Sequence, residues 1–202
     1  IIMLAMKTKA LFLDRDGVIN VDKNYVYKVQ DFEFCAGIFT LCALFLSKGY
    51  KIFVITNQSG IARGFYSKKD FENLSAFMCD EFAKKGVFIS RIYHCPHLEE
   101  CECRKPKPGM ILKAQAEFDI DLANSVFIGD NLSDMQAGKN AGVKTLCLVG
   151  RGDKVSQNDK NDSEKSKKNA DTIAHQMGDK TGEFYKKFAN LDEIREFFKD
   201  KL

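Results

Sequence analysis

Five short, mostly apolar runs alternate with longer amphipathic stretches along the first three quarters of this chain, and that alternation constrains its fold more than any other feature. Ala10–Leu13, Lys51–Thr56, Val87–Cys95, Ser125–Ile128 and Lys144–Val149 read as strands; Gly37–Ser47, Lys68–Lys85, Pro108–Phe118 and Met135–Ala141 read as the helices between them. In Lys68–Lys85 the apolar residues Phe71, Leu74, Phe77, Met78 and Phe82 recur at helical spacing. Unbroken apolar strands are buried on both faces, so the pattern predicts an α/β fold with a mainly parallel sheet between two helical layers. Phe184–Phe188 reads as an edge strand and Leu191–Phe198 as a closing helix.

The 202 residues are 45% hydrophobic, enough for one domain with a sizeable core. Residues 1–202 are therefore expected to form a single domain. From Arg151 to about Asp171 the only apolar side chains are Val155 and Ala170, and charges of both signs are interspersed. Such a stretch cannot offset its ordering entropy by burial. It predicts a mobile polar insert, taken here as residues 151–182. Lys and Arg total 31 against 28 Asp and Glu, a net charge of +3. That balance argues against a nucleic-acid partner, as does the lack of Trp for a strand-binding groove. No apolar run reaches the roughly 18 residues of a membrane span. Ile1–Met6 is too short for a signal peptide. A cytoplasmic monomer with no membrane partner is expected, with its start at Met3 or Met6.

The strand ends carry the chemistry. The first strand runs into Asp14-Arg15-Asp16-Gly17, the second into Thr56-Asn57-Gln58-Ser59-Gly60, and the fourth into Gly129-Asp130-Asn131 with Asp134 close behind. In open α/β sheets ligands bind beyond the carboxyl ends of the strands. Carboxylates gathered at one point need a cation, and hard Mg²⁺ suits oxygen donors while leaving room for a phosphate. A carboxylate beside it can accept a phosphoryl group. Asp16 can protonate a leaving oxygen and later deprotonate water, while Thr56 and turn N–H groups can bond phosphoryl oxygens.

Cysteine supplies a second cluster. Cys35, Cys42, Cys79 and Cys147 lie among apolar neighbours and read as small core residues. Cys95, His97, Cys101 and Cys103 instead fall within nine polar residues. Three thiolates and an imidazole suit tetrahedral Zn²⁺ with no open position, a structural site. Arg104 and Lys105 follow the last cysteine directly, and a metal-held loop there would aim both at a substrate phosphate.

LDRDG, VITNQSG and IGDNLSD resemble motifs I, II and IV of the haloacid-dehalogenase (HAD) superfamily of phosphohydrolases. That resemblance implies a three-layer, Rossmann-like α/β/α fold without a large cap domain. It implies Asp14 as nucleophile, Asp16 as general acid/base, Thr56 as phosphoryl stabiliser and Lys105 as the balancing cation. Mg²⁺ would be held by Asp14, the backbone carbonyl of Asp16, and Asp130. INVDKNYV, DFEF, TNQSGIARG, CPH with CECRKPKPGM, and GDNLSDMQAG are similar to the heptose-1,7-bisphosphate 7-phosphatase family across nearly all of residues 8–150. The likeness implies Mg²⁺ and zinc as cofactors and a sugar bisphosphate as substrate, hydrolysed at its 7-phosphate in making the ADP-heptose of lipopolysaccharide core. It places Asp22, Lys23, Asn24, Tyr25, Asn57, Gln58, Ser59, Arg104 and Asn131 at the substrate, beside Thr56 and Lys105.

Two departures stand out. Only three residues separate His97 from Cys101, a shorter loop than the family often has, and Asn131 stands where relatives often carry Lys. Histidinol-phosphate phosphatases share the cysteine arrangement and a short loop, and form the nearest alternative. The run Gln58–Gly64 and Lys107-Pro108-Gly109-Met110 favour the heptose reading. A zinc-stabilised binding module that has lost catalysis is a third reading, and the intact Asp14, Asp16, Thr56, Lys105 and Asp130 argue against it.

Overall fold

The computed structural model describes residues 7–99, 101–150 and 184–202. They contain six strands, β1 (Lys9–Leu13), β2 (Tyr50–Asn57), β3 (Ile89–Cys95), β4 (Val126–Gly129), β5 (Thr145–Val149) and β6 (Lys186–Phe188). Five α-helices accompany them: α1 (Ile38–Ser47), α2 (Lys68–Lys84), α3 (Gly109–Phe118), α4 (Leu132–Ala141) and α5 (Leu191–Lys199). The strand order is β3-β2-β1-β4-β5-β6, and every neighbouring pair is parallel. The order reverses between β1 and β4, so a crevice opens at their carboxyl ends. Asp14 follows β1 and Asp130 follows β4, which puts both aspartates at that crevice.

Alternation along the strands builds two cores. Leu11 and Leu13 of β1, with Ile52 and Val54 of β2, pack against α1, α2 and α5. Ala10 and Phe12, with Phe53, Ile55 and Phe127, pack against α3 and α4. The sheet thus has helices on both faces, the three-layer arrangement expected. β1 has both faces and both edges covered, which is why it reads as a plain apolar run.

Element ends moved for local reasons. Helix α4 begins at Leu132, three residues before the expected Met135, because Asn131 and Asp134 form a reciprocal capping box. Helix α2 starts in the same way at Ser67 and Asp70. Strand β3 is two residues shorter than expected, beginning at Ile89. Cys42 and Cys147 are fully buried core residues, whereas Cys35 and Cys79 are only half-buried. The insert expected over 151–182 lies outside the described residues.

Candidate active site and metal-ligand cluster

Lys105 organises the centre. Its Nζ lies 2.8 Å from Asp14 Oδ1, 2.7 Å from Asp134 Oδ1 and 2.8 Å from the Ile55 carbonyl oxygen. An ammonium has three donors, and three oxygens surround it. Burial alone would pull the Lys105 pKa down, but Asp134 and Asp14 outweigh it and hold the group charged, above its ordinary value. Asp14 responds oppositely. Burial pushes its carboxyl well above the usual range, Lys105 offsets part of this, and Asp134 and Asp130 add to the rise. The Arg15 N–H also donates to Asp14 Oδ1 at 2.7 Å. Both contacts fall on Oδ1, leaving Oδ2 for chemistry.

Asp16 is gripped from several sides. Arg15 donates through Nε (3.1 Å) and Nη2 (2.9 Å), Asn20 Nδ2 lies at 3.0 Å, and Gln58 Nε2 at 3.1 Å. Arg15 is itself buried and donates to the Val26 carbonyl at 2.8 Å, anchoring the loop after β1. Thr56, at the end of β2, is buried and accepts from Gln58 Nε2 at 2.8 Å.

Other expected residues are tied into the protein. Asn57 brackets the Lys105 backbone, donating to its carbonyl at 3.2 Å and accepting from its N–H at 3.1 Å. Gln58 is buried, with its amide spent on Asp16, Thr56 and Tyr66. The Asn131 side chain caps α4 by accepting from the Ser133 N–H at 3.0 Å. Ser59 is half-buried, and its carbonyl accepts from the Arg63 N–H at 3.0 Å. Asp22, Lys23, Asn24 and Tyr25 form an exposed loop, where Lys23 pairs with Glu33 at 3.0 Å and Asp22 Oδ1 accepts from the Asn24 N–H at 3.0 Å. The Tyr25 and Phe65 rings meet edge-on at 4.8 Å, joining the loops after β1 and β2. Arg104 donates to the His97 carbonyl at 3.3 Å, at the outer side of the cysteine cluster.

The expectation left Asp134 without a role, and Arg15, Asn20 and Tyr66 unnoticed. Asp134 could have been found from its three-residue spacing to Asn131, the sign of a capping box. Arg15 and Asn20 lie one and four residues from Asp16, close enough to have been considered, whereas the Tyr66 hydroxyl meets Gln58 through the turn after β2.

Carboxylate oxygens of Asp14, Asp130 and Asp134 lie within 4.8 Å of one another. Three carboxylates beside one ammonium leave excess negative charge, and hard oxygens suit Mg²⁺. Asp134 Oδ1 also has no well-directed hydrogen bond, though Lys105 lies beside it. Asp134 Oδ2 accepts from the Asn131 N–H at 3.0 Å. Asp134 thus faces Lys105 through Oδ1, and Asp14, Asp130 and Asp134 are all placed where they could hold the ion. Gly17 permits this crowding: at φ +86° a Cβ there would sit 2.1 Å from Asp130 Oδ2.

Cys95, His97, Cys101 and Cys103 also bring their ligand atoms within 4.8 Å of one another. Cys101 Sγ lies 3.5 Å from both Cys95 Sγ and Cys103 Sγ, and His97 Nδ1 lies 3.6 Å from Cys95 Sγ and 3.4 Å from Cys103 Sγ. A tetrahedral zinc would set these at about 3.8 and 3.6 Å. The donors fit. Although burial opposes it, the N–H of Arg104 and the neighbouring thiols lower the Cys101 pKa to about 6, which favours the ligating thiolate.

A parallel sheet whose central strand ends in Asp14 and Asp16, with a threonine, a buried lysine and a second pair of aspartates at adjoining strand ends, defines a hydrolase of the HAD class. A family model described as HAD-hydrolase-like matches residues 102–179. The chain is 57% identical over 196 residues to the D-glycero-alpha-D-manno-heptose-1,7-bisphosphate 7-phosphatase of Campylobacter jejuni, covering 97% of this chain and 99% of that relative. It is 47% identical over 161 residues to the corresponding beta-anomer phosphatase of Vibrio cholerae, covering 75% of this chain and 87% of that one. This chain belongs to the heptose-1,7-bisphosphate 7-phosphatase family. A solved structure of the D,D-heptose 1,7-bisphosphate phosphatase from B. bronchiseptica, complexed with magnesium and phosphate, matches with a TM-score of 0.75 at 28% identity, over 96% of this chain and all of that one.

Proposed function

We propose that this chain removes the 7-phosphate of D-glycero-D-manno-heptose 1,7-bisphosphate, supplying the monophosphate from which ADP-heptose for lipopolysaccharide core is made. The observation that carries the reading is the buried Asp14–Lys105 pair at the carboxyl end of β1, which presents one free carboxylate oxygen at the switch point of the sheet. Membership in the family supports the choice of sugar.

Asp14 Oδ2 attacks phosphorus in line. The new bond forms an aspartyl phosphate as the bond to the sugar oxygen breaks, and Asp16 gives that oxygen its proton. Water, losing a proton to Asp16, then attacks phosphorus, breaking the acyl phosphate and restoring Asp14. Thr56 donates to phosphoryl oxygens, and Lys105 offsets the charge gathered around Asp14 and Asp134. Asp14, Asp130 and the Asp16 carbonyl would hold Mg²⁺, which supplies Lewis acidity and charge neutralisation to the phosphoryl group. Cys95, His97, Cys101 and Cys103 would hold Zn²⁺ as a structural clamp on the loop that delivers Arg104 and Lys105. We read residues 1–202 as one domain, acting as a cytoplasmic monomer on this small molecule, with Asp22–Tyr25, Ser59 and Arg104 at the substrate rim. Among the described residues, no helix is long and apolar enough to cross a membrane.

The test compares turnover of heptose 1,7-bisphosphate and histidinol phosphate with Mg²⁺, following the 7-phosphate by phosphorus NMR. The expected result is a preference of about 100-fold or more in kcat/KM for the bisphosphate. Equal or better cleavage of histidinol phosphate would overturn the reading.

A further inference from the structure

The Gln58 side chain sits between two catalytic groups. Its Nε2 donates to Asp16 Oδ2 at 3.1 Å and to Thr56 Oγ1 at 2.8 Å. Its Oε1 accepts from the Tyr66 hydroxyl at 2.6 Å. All of Gln58, Thr56 and Tyr66 are buried. Asp16 Oδ2 also accepts from Arg15 Nε, so it meets the amide as an acceptor and the end facing it must be the NH₂. The other end must then be the carbonyl, and Tyr66 is its donor. If the amide turned over, an oxygen would face the Asp16 carboxylate, and the buried Tyr66 hydroxyl would lose its acceptor. Tyr66 therefore locks the amide in the one sense that supports Asp16.

The lock reaches Thr56 as well. Because Thr56 Oγ1 accepts from Gln58, its own hydrogen is left to point at a phosphoryl oxygen. The Tyr66 ring is held in place from two sides. Tyr27 stacks on it with centroids 5.3 Å apart and planes 12° apart. Gly60 makes room for it, since a Cβ there would lie 2.2 Å from the ring. A ring so confined keeps its hydroxyl at one point.

We infer that Tyr66 is a positioning residue for the phosphatase reaction, acting through Gln58 to set the orientation of both Asp16 and Thr56. The inference rests on the function proposed above. It also gives Gln58 a place behind the catalytic groups instead of against the sugar.

The experiment removes one oxygen atom with Tyr66→Phe and measures two substrates with Mg²⁺. kcat/KM reports only the steps through departure of the leaving group. A sugar alkoxide needs a proton from Asp16, whereas 4-nitrophenolate does not. Tyr66→Phe is expected to lower kcat/KM for the heptose bisphosphate about 10–100-fold, and for 4-nitrophenyl phosphate, which senses only the Thr56 part, about tenfold less. The same change in a Gln58→Leu background is expected to cost less than about twofold, since the amide through which Tyr66 acts is gone. An unchanged rate, equal losses with both substrates, or additive effects of the two substitutions would overturn the inference. If Tyr66→Phe does not fold, Gly60→Ala, which displaces the ring, is read by the same two-substrate ratio. The wild-type rate tests the function separately: a wild type inert toward the heptose bisphosphate counts against that reading alone, and the ratio is then taken with glycerol phosphate as the alkyl ester.

Discussion

The Asp134 carboxylate lies 2.7 Å from the Lys105 ammonium, and both side chains are buried. Removing one partner of such a pair leaves the other buried and unmatched, which typically costs about 3–5 kcal/mol. Asp134→Ala is therefore expected to lower unfolding stability by that amount in a urea titration. Activity should fall too, because Lys105 would be drawn wholly onto Asp14. A variant with unchanged midpoint and turnover would show that Asp134 is not the counter-ion of Lys105.

Asp14 carries the opposite expectation for stability. Burial, only partly offset by Lys105, holds its carboxyl pKa above the unfolded value. For a carboxyl raised in this way the native state binds more protons, so the group's contribution to stability is lost as pH rises from the unfolded value through the folded one. Its charge is thus a burden on the metal-free fold at neutral pH. Asp14→Asn should abolish nearly all phosphatase turnover while keeping or raising the melting temperature in EDTA. Added Mg²⁺ should raise the melting temperature of the wild type and leave the variant where it was.

The cysteine cluster should reveal itself first in stability. Cys101→Ser is expected to lower bound zinc, read by elemental analysis of freshly reduced protein, and to lower the melting temperature before activity at 25 °C changes. Chelation of the wild type should reproduce the shift. Reduced wild-type protein with no zinc would remove the clamp from this account.

His94 sets an acid limit. Its ring packs on Phe71 with centroids 4.3 Å apart, and burial, helped by Lys68, lowers its pKa below the ordinary histidine value. The unfolded chain then binds a proton more readily than the native one, so stability falls as pH drops from the unfolded value through the lowered folded one. His94→Phe keeps a ring against Phe71 and removes the titration. Its urea midpoint should decline less than that of the wild type between pH 7 and 5. Parallel declines would place the acid sensitivity elsewhere.

Much of this could be read in the chain before folding was considered. Apolar runs ending in Asp14, Thr56 and Asp130 place three chemical groups at strand ends, and parallel strands bring those ends together at one edge of the sheet. The cluster of Cys95, His97, Cys101 and Cys103 was equally plain, being close in sequence. What sequence could not show are pairings across long separations. Gln58 meets Asp16 from 42 residues away, and Lys105 meets the Ile55 carbonyl from 50. A polar residue in a Gly-rich turn looks the same whether it faces ligand or a neighbouring side chain. Asn57, Gln58 and Asn131 all have protein partners that the sequence does not announce: one brackets the Lys105 backbone, one bridges Asp16 and Thr56, and one caps a helix.

Strand β1 has hydrogen-bonded neighbours on both sides, and the aspartate that follows it keeps only 9% of its surface open. A phosphorus atom can come to that oxygen from one direction, outward from the sheet. Whatever hangs from the phosphorus must then trail away into the surroundings, beyond the narrow floor. An enzyme of this build trims one tip of a long, doubly phosphorylated molecule and never has to swallow the rest of it.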